Sequence, residues 1–68
     1  MFIRVSALCE GCTEFEMVNI YLHEIVEIGD IRHDNKKLSY IKTIYETYII
    51  RLKLDTLIER INDKRGFI

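Results

Sequence analysis

The pattern of hydrophobic and polar residues is most informative over residues 39–54, which are rich in β-branched and aromatic side chains. Such side chains lose rotamer freedom in a helix and pack well on a pleated surface. Within this stretch, residues 48–54 alternate between apolar and polar positions, which is the period of a half-buried strand. We therefore predict a strand pair over 39–45 and 48–54, joined near Glu46 and Thr47.

Three further strands and one helix complete the predicted fold. Alternating apolar positions predict strands over 2–8, 14–20 and 24–31. Residues 55–64 instead carry apolar side chains at helical spacing, with basic residues towards the end of the segment. The sequence predicts one α+β domain over residues 1–68, in which a small antiparallel sheet of four to five strands is followed by one C-terminal helix.

An all-α helical hairpin is the alternative fold. Apolar residues also fall three and four positions apart over 14–28 and 36–64, so two helices can be drawn there. The β-branched content of residues 39–50 and the alternation of residues 48–54 favour the sheet.

Length and composition indicate a folded domain with a small core. The chain has 68 residues, of which 49% are hydrophobic and 31% charged, outside the range typical of disorder. A chain of this length buries only about 60% of its unfolded surface, so a metal, a disulfide or a partner subunit would supplement the core. The chain has neither the apolar run of a signal peptide nor that of a membrane span. We expect a cytoplasmic protein, without membrane contact, whose cysteines stay reduced.

Charge is distributed unevenly along the chain. Residues 1–31 carry one base and six acids, and residues 32–68 carry nine bases and five acids. We expect these halves to pair within the fold or between subunits. The net charge of −1 argues against a dedicated nucleic-acid-binding protein. A nucleic-acid-associated regulator is the alternative function, and its phosphate contacts would be Arg51, Lys53, Arg60, Lys64 and Arg65.

The one motif with metal chemistry is Cys9-Glu10-Gly11-Cys12, in a turn where Gly11 can take a positive φ. A Cys-x-x-Cys pair supplies half of a tetrahedral zinc site. If the turn joins two antiparallel strands, His23 lies roughly 30 Å away at the opposite end of the sheet. The next strand would bring His33 back, so Cys9, Cys12 and His33 form the predicted zinc set, completed by an acidic or intersubunit ligand. Two reduced thiols in a hairpin loop, with no cofactor, are the interpretation that we favour over this zinc set.

Apolar side chains on both faces of residues 39–50 indicate an interaction surface. One short helix can cover only one face of a sheet, so we predict a homo-oligomer in which another copy covers the second face. The predicted contacts with a protein or small-molecule partner are Tyr40, Tyr45, Tyr48 and Ile49. The three glycines are isolated and no nucleophile or phosphate-binding motif is present in the sequence, so we expect no enzymatic activity.

Four short motifs follow one another in an order found in a known group of proteins. They are V-N at Val18–Asn19, I-V-x-I at Ile25–Ile28, Y-I-I at Tyr48–Ile50, and D-x-L-I-x-x-I at Asp55–Ile61. In this order the chain resembles the FlbD-like flagellar proteins, a diffuse group of short bacterial and phage proteins. The chain differs from the group by Glu46-Thr47 in place of a glycine-containing turn, and by the added Cys-x-x-Cys motif. The resemblance implies a non-enzymatic sheet-plus-helix module, of bacterial or phage origin, that binds or inhibits a partner.

Overall fold

The computed structural model describes the backbone of residues 1–65 and the side chains of residues 1–64. Five strands form one antiparallel sheet in the order β2-β1-β5-β4-β3. The elements are β1 (Phe2–Leu8), β2 (Glu16–Tyr21), a 3-10 helix (Leu22–Glu24), β3 (Ile25–His33), β4 (Lys36–Thr43), β5 (Thr47–Ile50) and α1 (Leu54–Arg65). The predicted α+β fold with a C-terminal helix is confirmed within these residues, and the helical hairpin does not form.

The hairpin between β3 and β4 is tighter than the sequence analysis predicted. Both strands extend into residues 32–38, which lie between the predicted strands 24–31 and 39–45, so that His33 pairs with Lys36. Asp34 and Asn35 have φ values of 50° and 62°, which is the conformation of a type I′ two-residue turn. Asn and Asp tolerate this left-handed conformation better than other non-glycine residues, and the tight turn lengthens both strands.

The connection between β4 and β5 lies earlier in the chain than predicted. β4 ends at Thr43 instead of residue 45, and β5 begins at Thr47. The Thr43 hydroxyl accepts hydrogen bonds from the backbone N–H groups of Tyr45 and Glu46, each at 3.1 Å, and donates to the Glu46 carbonyl at 2.9 Å. Because one threonine side chain satisfies these turn groups, the chain reverses over residues 44–46 without a glycine.

β5 ends at Ile50, four residues before the predicted end of that strand. The buried Ser39 hydroxyl donates a hydrogen bond of 2.7 Å to the Leu52 carbonyl, which turns the chain away from the sheet. The helix α1 then begins at Leu54, with the Leu57 N–H donating to the Lys53 carbonyl at 3.0 Å.

The sheet must curl, because its two edge strands are consecutive in sequence. The four steps from Tyr21 to Ile25 span at most about 14 Å, whereas five flat strands are about 19 Å wide. Backbone hydrogen bonds hold the connecting 3-10 helix at both ends: Leu22 N–H donates to the Met1 carbonyl at 3.0 Å, and Ile44 N–H donates to the Glu24 carbonyl at 3.1 Å.

The core fills the inside of this curled sheet, on what we call the inner face. Alternate residues of β1 point inwards, and α1 covers the inner face through contacts with β1, β3 and β4. The buried apolar side chains are Ile3, Val5, Ala7, Ile20, Leu22, Ile41, Ile50, Leu57 and Ile61. The opposite side of the sheet is the outer face.

Candidate functional site

Residues 9–15, which connect β1 to β2, lie against the outer face of the sheet. The turn formed by residues 9–12 borders a cleft of about 340 Å³, which we call the outer cleft. Further along the connection, the Phe15 ring lies 4.2 Å below the Arg51 guanidinium carbon and 5.8 Å from the His33 ring. The outer cleft is lined by Leu8, Cys9, Glu10, Gly11, Cys12, Ile31, Thr47 and Ile49.

The Cys9–Cys12 segment is a closed β-turn. The Cys12 N–H donates to the Cys9 carbonyl at 3.2 Å, and Gly11 at the third position has a φ of 77°. A type II turn requires a positive φ at that position, which confirms the conformational role predicted for Gly11. Both cysteine side chains therefore extend from one turn of four residues.

Two glutamates attach this turn to the start of β5. Thr47 N–H donates to a carboxylate oxygen of Glu10 at 2.9 Å, and Glu10 N–H donates to a carboxylate oxygen of Glu46 at 3.3 Å. Hydrogen bonds to a charged acceptor are stronger than those between neutral groups. The sequence analysis did not identify Glu10 as a structural residue, since its partner lies 37 residues further along the chain.

The two thiols have different surroundings. Both cysteines are free, with Cys9 half-buried and Cys12 exposed. Burial raises the pKa of the Cys9 thiol, and the negative charge of Glu46 and the neighbouring Cys12 thiol raise it further. Cys9 is therefore held as a neutral thiol at neutral pH.

The structure does not bring the predicted zinc ligands together. Among the described residues, no group of three or more His, Cys, Asp or Glu side chains could hold a metal ion. His33 lies beside Phe15 and Asp34 instead. The prediction assumed that β3 lies next to β2, but β3 is at the far edge of the sheet.

The strand register shows why His33 is displaced from the cysteines. Ala7, Ile50, Ser39 and Asp30 lie in one row across β1, β5, β4 and β3. Cys9 lies two residues beyond Ala7, at the end of β1. His33 lies three residues beyond Asp30 along β3, and β3 runs in the opposite direction to β1. The two positions are consequently on opposite sides of the row.

The predicted partner contacts divide between three environments. Tyr40 and Ile49 are a cross-strand pair on the outer face, and Ile49 lines the outer cleft. Tyr45 is 74% exposed in the turn after β4. Tyr48 is on the inner face, where it is half-buried and packs against the core.

The predicted phosphate contacts do not form one surface. Arg51 covers Phe15, and Lys53 lies beside Asp30 and Asp55 at the start of α1. The side chain of Arg65 lies outside the described residues. The remaining two, Arg60 and Lys64, lie elsewhere, on the second half of α1.

Arg60 and Lys64 share a second cleft, of about 360 Å³, with Arg4 and Phe2. The Arg60 guanidinium donates to the Arg4 carbonyl at 3.4 Å, and Phe2 packs edge-to-face on Tyr21 with ring centroids 5.7 Å apart. We call this the basic cleft. Arg4 was missed because it lies in the acidic half of the chain, and only the fold brings it next to α1.

Comparison of the chain with models of protein families, with curated proteins and with solved structures found no match. The resemblance to the FlbD-like proteins therefore stays a prediction. Within the part of the chain that the structure describes, no helix is long and apolar enough to cross a membrane.

Proposed function

We propose that this chain is a non-enzymatic interaction protein whose outer cleft binds an apolar side chain of a partner protein. One observation carries the proposal: the connection over residues 9–15 forms a wall beside Ile31 and Ile49 without filling the space above them. Both isoleucines are only half-buried, although Ile49 belongs to the central strand of the sheet. A cleft of about 340 Å³ is within the range of about 300–1,000 Å³ of ligand pockets.

The charges at the cleft indicate which partners would fit. Glu10 lines the outer cleft, and the Glu46 carboxylate lies against the Glu10 backbone. Basic side chains of a partner would be attracted to these carboxylates, which affects specificity and association rate more than affinity. We therefore expect a protein segment with one apolar side chain flanked by Lys or Arg.

Selection from a random peptide library on the immobilised chain tests this proposal. We expect enrichment of peptides with an apolar residue flanked by basic residues, and amide chemical-shift changes at Ile31 and Ile49. Ile49→Thr keeps a β-branched residue suited to a strand while removing apolar contact, and should weaken binding about tenfold, equivalent to about 1.4 kcal/mol. Val26→Thr is the matched control, since Val26 is an exposed strand residue outside the cleft. Enriched peptides that bind both variants equally well would contradict the proposal.

Self-association through the remaining exposed apolar residues belongs to the same proposal. Phe2, Tyr21, Val26 and Ile58 are exposed at the surface of the single chain. Phe2 and Tyr21 are in contact, Val26 and Ile58 line one groove, and exposed apolar groups of this kind often mark interaction surfaces. We propose a homo-oligomer, and a monomer at tens of micromolar in light scattering coupled to gel filtration would contradict it.

The basic cleft supports a second candidate function, the binding of single-stranded nucleic acid. The basic cleft is lined by three cations and one carboxylate, together with Phe2, which has the exposed Tyr21 ring beside it. The charged residues are Arg4, Arg60, Lys64 and Asp63. Cationic grooves with stacking rings are the usual means of binding single strands. Neutralising three phosphates would make the logarithm of affinity fall with that of salt with a slope of about −2.

Titration with a fluorescent oligothymidylate over a range of salt concentrations tests this second function. Salt-sensitive binding that Arg60→Gln reduces, and that Arg51→Gln leaves unchanged, would support it. Absence of binding at low salt would exclude it.

A further inference from the structure

The turn that forms a wall of the outer cleft holds the Cα atoms of its two cysteines at a separation compatible with a disulfide. The hydrogen bond from Cys12 N–H to the Cys9 carbonyl closes a β-turn, in which the first and fourth Cα atoms are less than about 7 Å apart. Disulfides form across Cα separations of about 4.4–6.8 Å. The backbone therefore needs little movement for the two sulfurs to bond.

Two further features keep the turn in this conformation. Gly11 supplies the positive φ that a side chain at this position would disfavour. Glu10 ties the turn to β5 through Thr47 and Glu46. The folded chain thus holds Cys9 and Cys12 together more strongly than a free peptide would.

The accessibility of the thiols sets the order in which they react. Cys12 is exposed and can meet a solute, whereas Cys9 is half-buried beside Leu8 and Ile49. Burial also raises the pKa of the Cys9 thiol, so Cys9 is little ionised at neutral pH. When the fold does not stabilise the thiolates of a dithiol, the disulfide form is favoured. Strongly oxidising pairs are the opposite case, because their low thiol pKa stabilises the reduced form.

We propose that Cys9 and Cys12 are a reversible modification site, which a low-molecular-weight disulfide, RSSR, oxidises to an intramolecular disulfide. The Cys12 thiolate attacks one sulfur of RSSR, forms a mixed disulfide and releases RS⁻. The Cys9 thiolate then attacks the Cys12 sulfur, the Cys9–Cys12 bond forms, and a second RS⁻ leaves. The two protons lost by the thiols are taken up by the two leaving groups, so two RSH are produced and the protein gives up two electrons.

The disulfide would fix one wall of the outer cleft, so that redox state controls access to Ile49. This consequence rests on the proposed function of the cleft. The modification itself does not, since it depends only on the geometry of the turn.

Equilibration of the reduced full chain with mixtures of glutathione and glutathione disulfide tests the modification. Samples are acid-quenched and alkylated, and their intact masses are measured. We expect a species lighter by two hydrogen atoms, with little accumulated glutathione adduct. Cys9→Ser should stop at a glutathione adduct on Cys12, whereas Cys12→Ser should react more slowly, because its remaining thiol is half-buried.

The contribution of the fold is measured by two controls. Gly11→Ala places a side chain at a φ of 77° and should lower the equilibrium constant for ring closure about 5- to 30-fold, provided the variant folds. The wild-type chain unfolded in urea provides a reference that does not depend on that variant. A closure constant in urea equal to that of the folded chain, or stable adducts on both thiols, would overturn the proposal.

Peptide binding to the oxidised and reduced chains separates this inference from the proposed function. We expect the affinity of library-selected peptides to differ at least threefold between the two states. A disulfide that forms without changing the affinity would support the modification site and overturn its link to the cleft. Failure to select any peptide would count against the cleft as a binding site and would leave the mass measurement as the sole test of the modification.

Discussion

Replacing Leu57 by alanine should remove a large part of this protein's stability, because Leu57 joins α1 to the inner face of the sheet. Its side chain is 0% exposed. The substitution removes three carbons, worth about 0.8 kcal/mol each in lost burial. The cavity left behind brings the expected loss to about 3–5 kcal/mol. A domain of this size has a total stability of only about 3–10 kcal/mol.

Urea denaturation followed by circular dichroism measures this loss directly. A loss of about 3 kcal/mol would also lower the melting temperature by more than about 10 °C, since each kcal/mol shifts a domain of this size by about 4–8 °C. Ile58→Ala is the matched control, because Ile58 is the adjacent residue of α1 and is 38% exposed. It should cost less than about 1 kcal/mol, partly offset by the higher helix propensity of alanine. Equal denaturation midpoints for the two variants would refute the packing of α1 on the sheet.

Two further predictions concern polar groups of β4. Ser39→Ala leaves the Leu52 carbonyl without its hydrogen bond and should cost about 1–3 kcal/mol in urea denaturation; a loss below about 0.5 kcal/mol would contradict the role of this bond in ending β5. The pKa of Tyr40 is raised above 10.0, chiefly by its hydrogen bond to Glu27, so Glu27→Ala should lower the pKa that ultraviolet titration measures. Because the pKa of Tyr40 is higher in the folded chain, the hydrogen bond stabilises the fold at pH values below the tyrosine pKa of the unfolded chain. This stabilisation is lost as the pH rises through the pKa of the folded chain. A Tyr40 titration that Glu27→Ala leaves unchanged would contradict the contact.

The five strands and the helix of the described part of the chain could be predicted, whereas the turns and the 3-10 helix over Leu22–Glu24 could not. Strand formation follows from side-chain branching and alternation, which are local properties of residues 39–50. The turn at Asp34-Asn35 lacks the glycine that usually marks a type I′ turn, so no strand was predicted over residues 32–38. The turn after Thr43 depends on one hydroxyl that could equally have bonded to water.

The candidate site could be predicted only where it is local. The Cys9–Cys12 turn with Gly11 was evident, because the turn and its glycine are adjacent in sequence. The attachment of this turn to β5 was not, and neither was the place of His33, since both depend on the strand order. Alternation shows which residues share a face of a strand, but it does not show which strands are neighbours in the sheet. The sequence therefore does not show which distant polar residues come together.

The outer face shows how a short chain can carry apolar residues on both sides of its sheet. The homo-oligomer was predicted because α1 can cover only one side. In the structure, residues 9–15 lie over part of the second side, and Phe15 is held there between Arg51 and His33. Part of the covering that was assigned to another copy is thus supplied by the chain itself. What stays open is the outer cleft, whose wall is the Cys9–Cys12 turn. A partner at Ile49 would therefore contact this turn, so the proposed modification site lies in the wall of the proposed binding site.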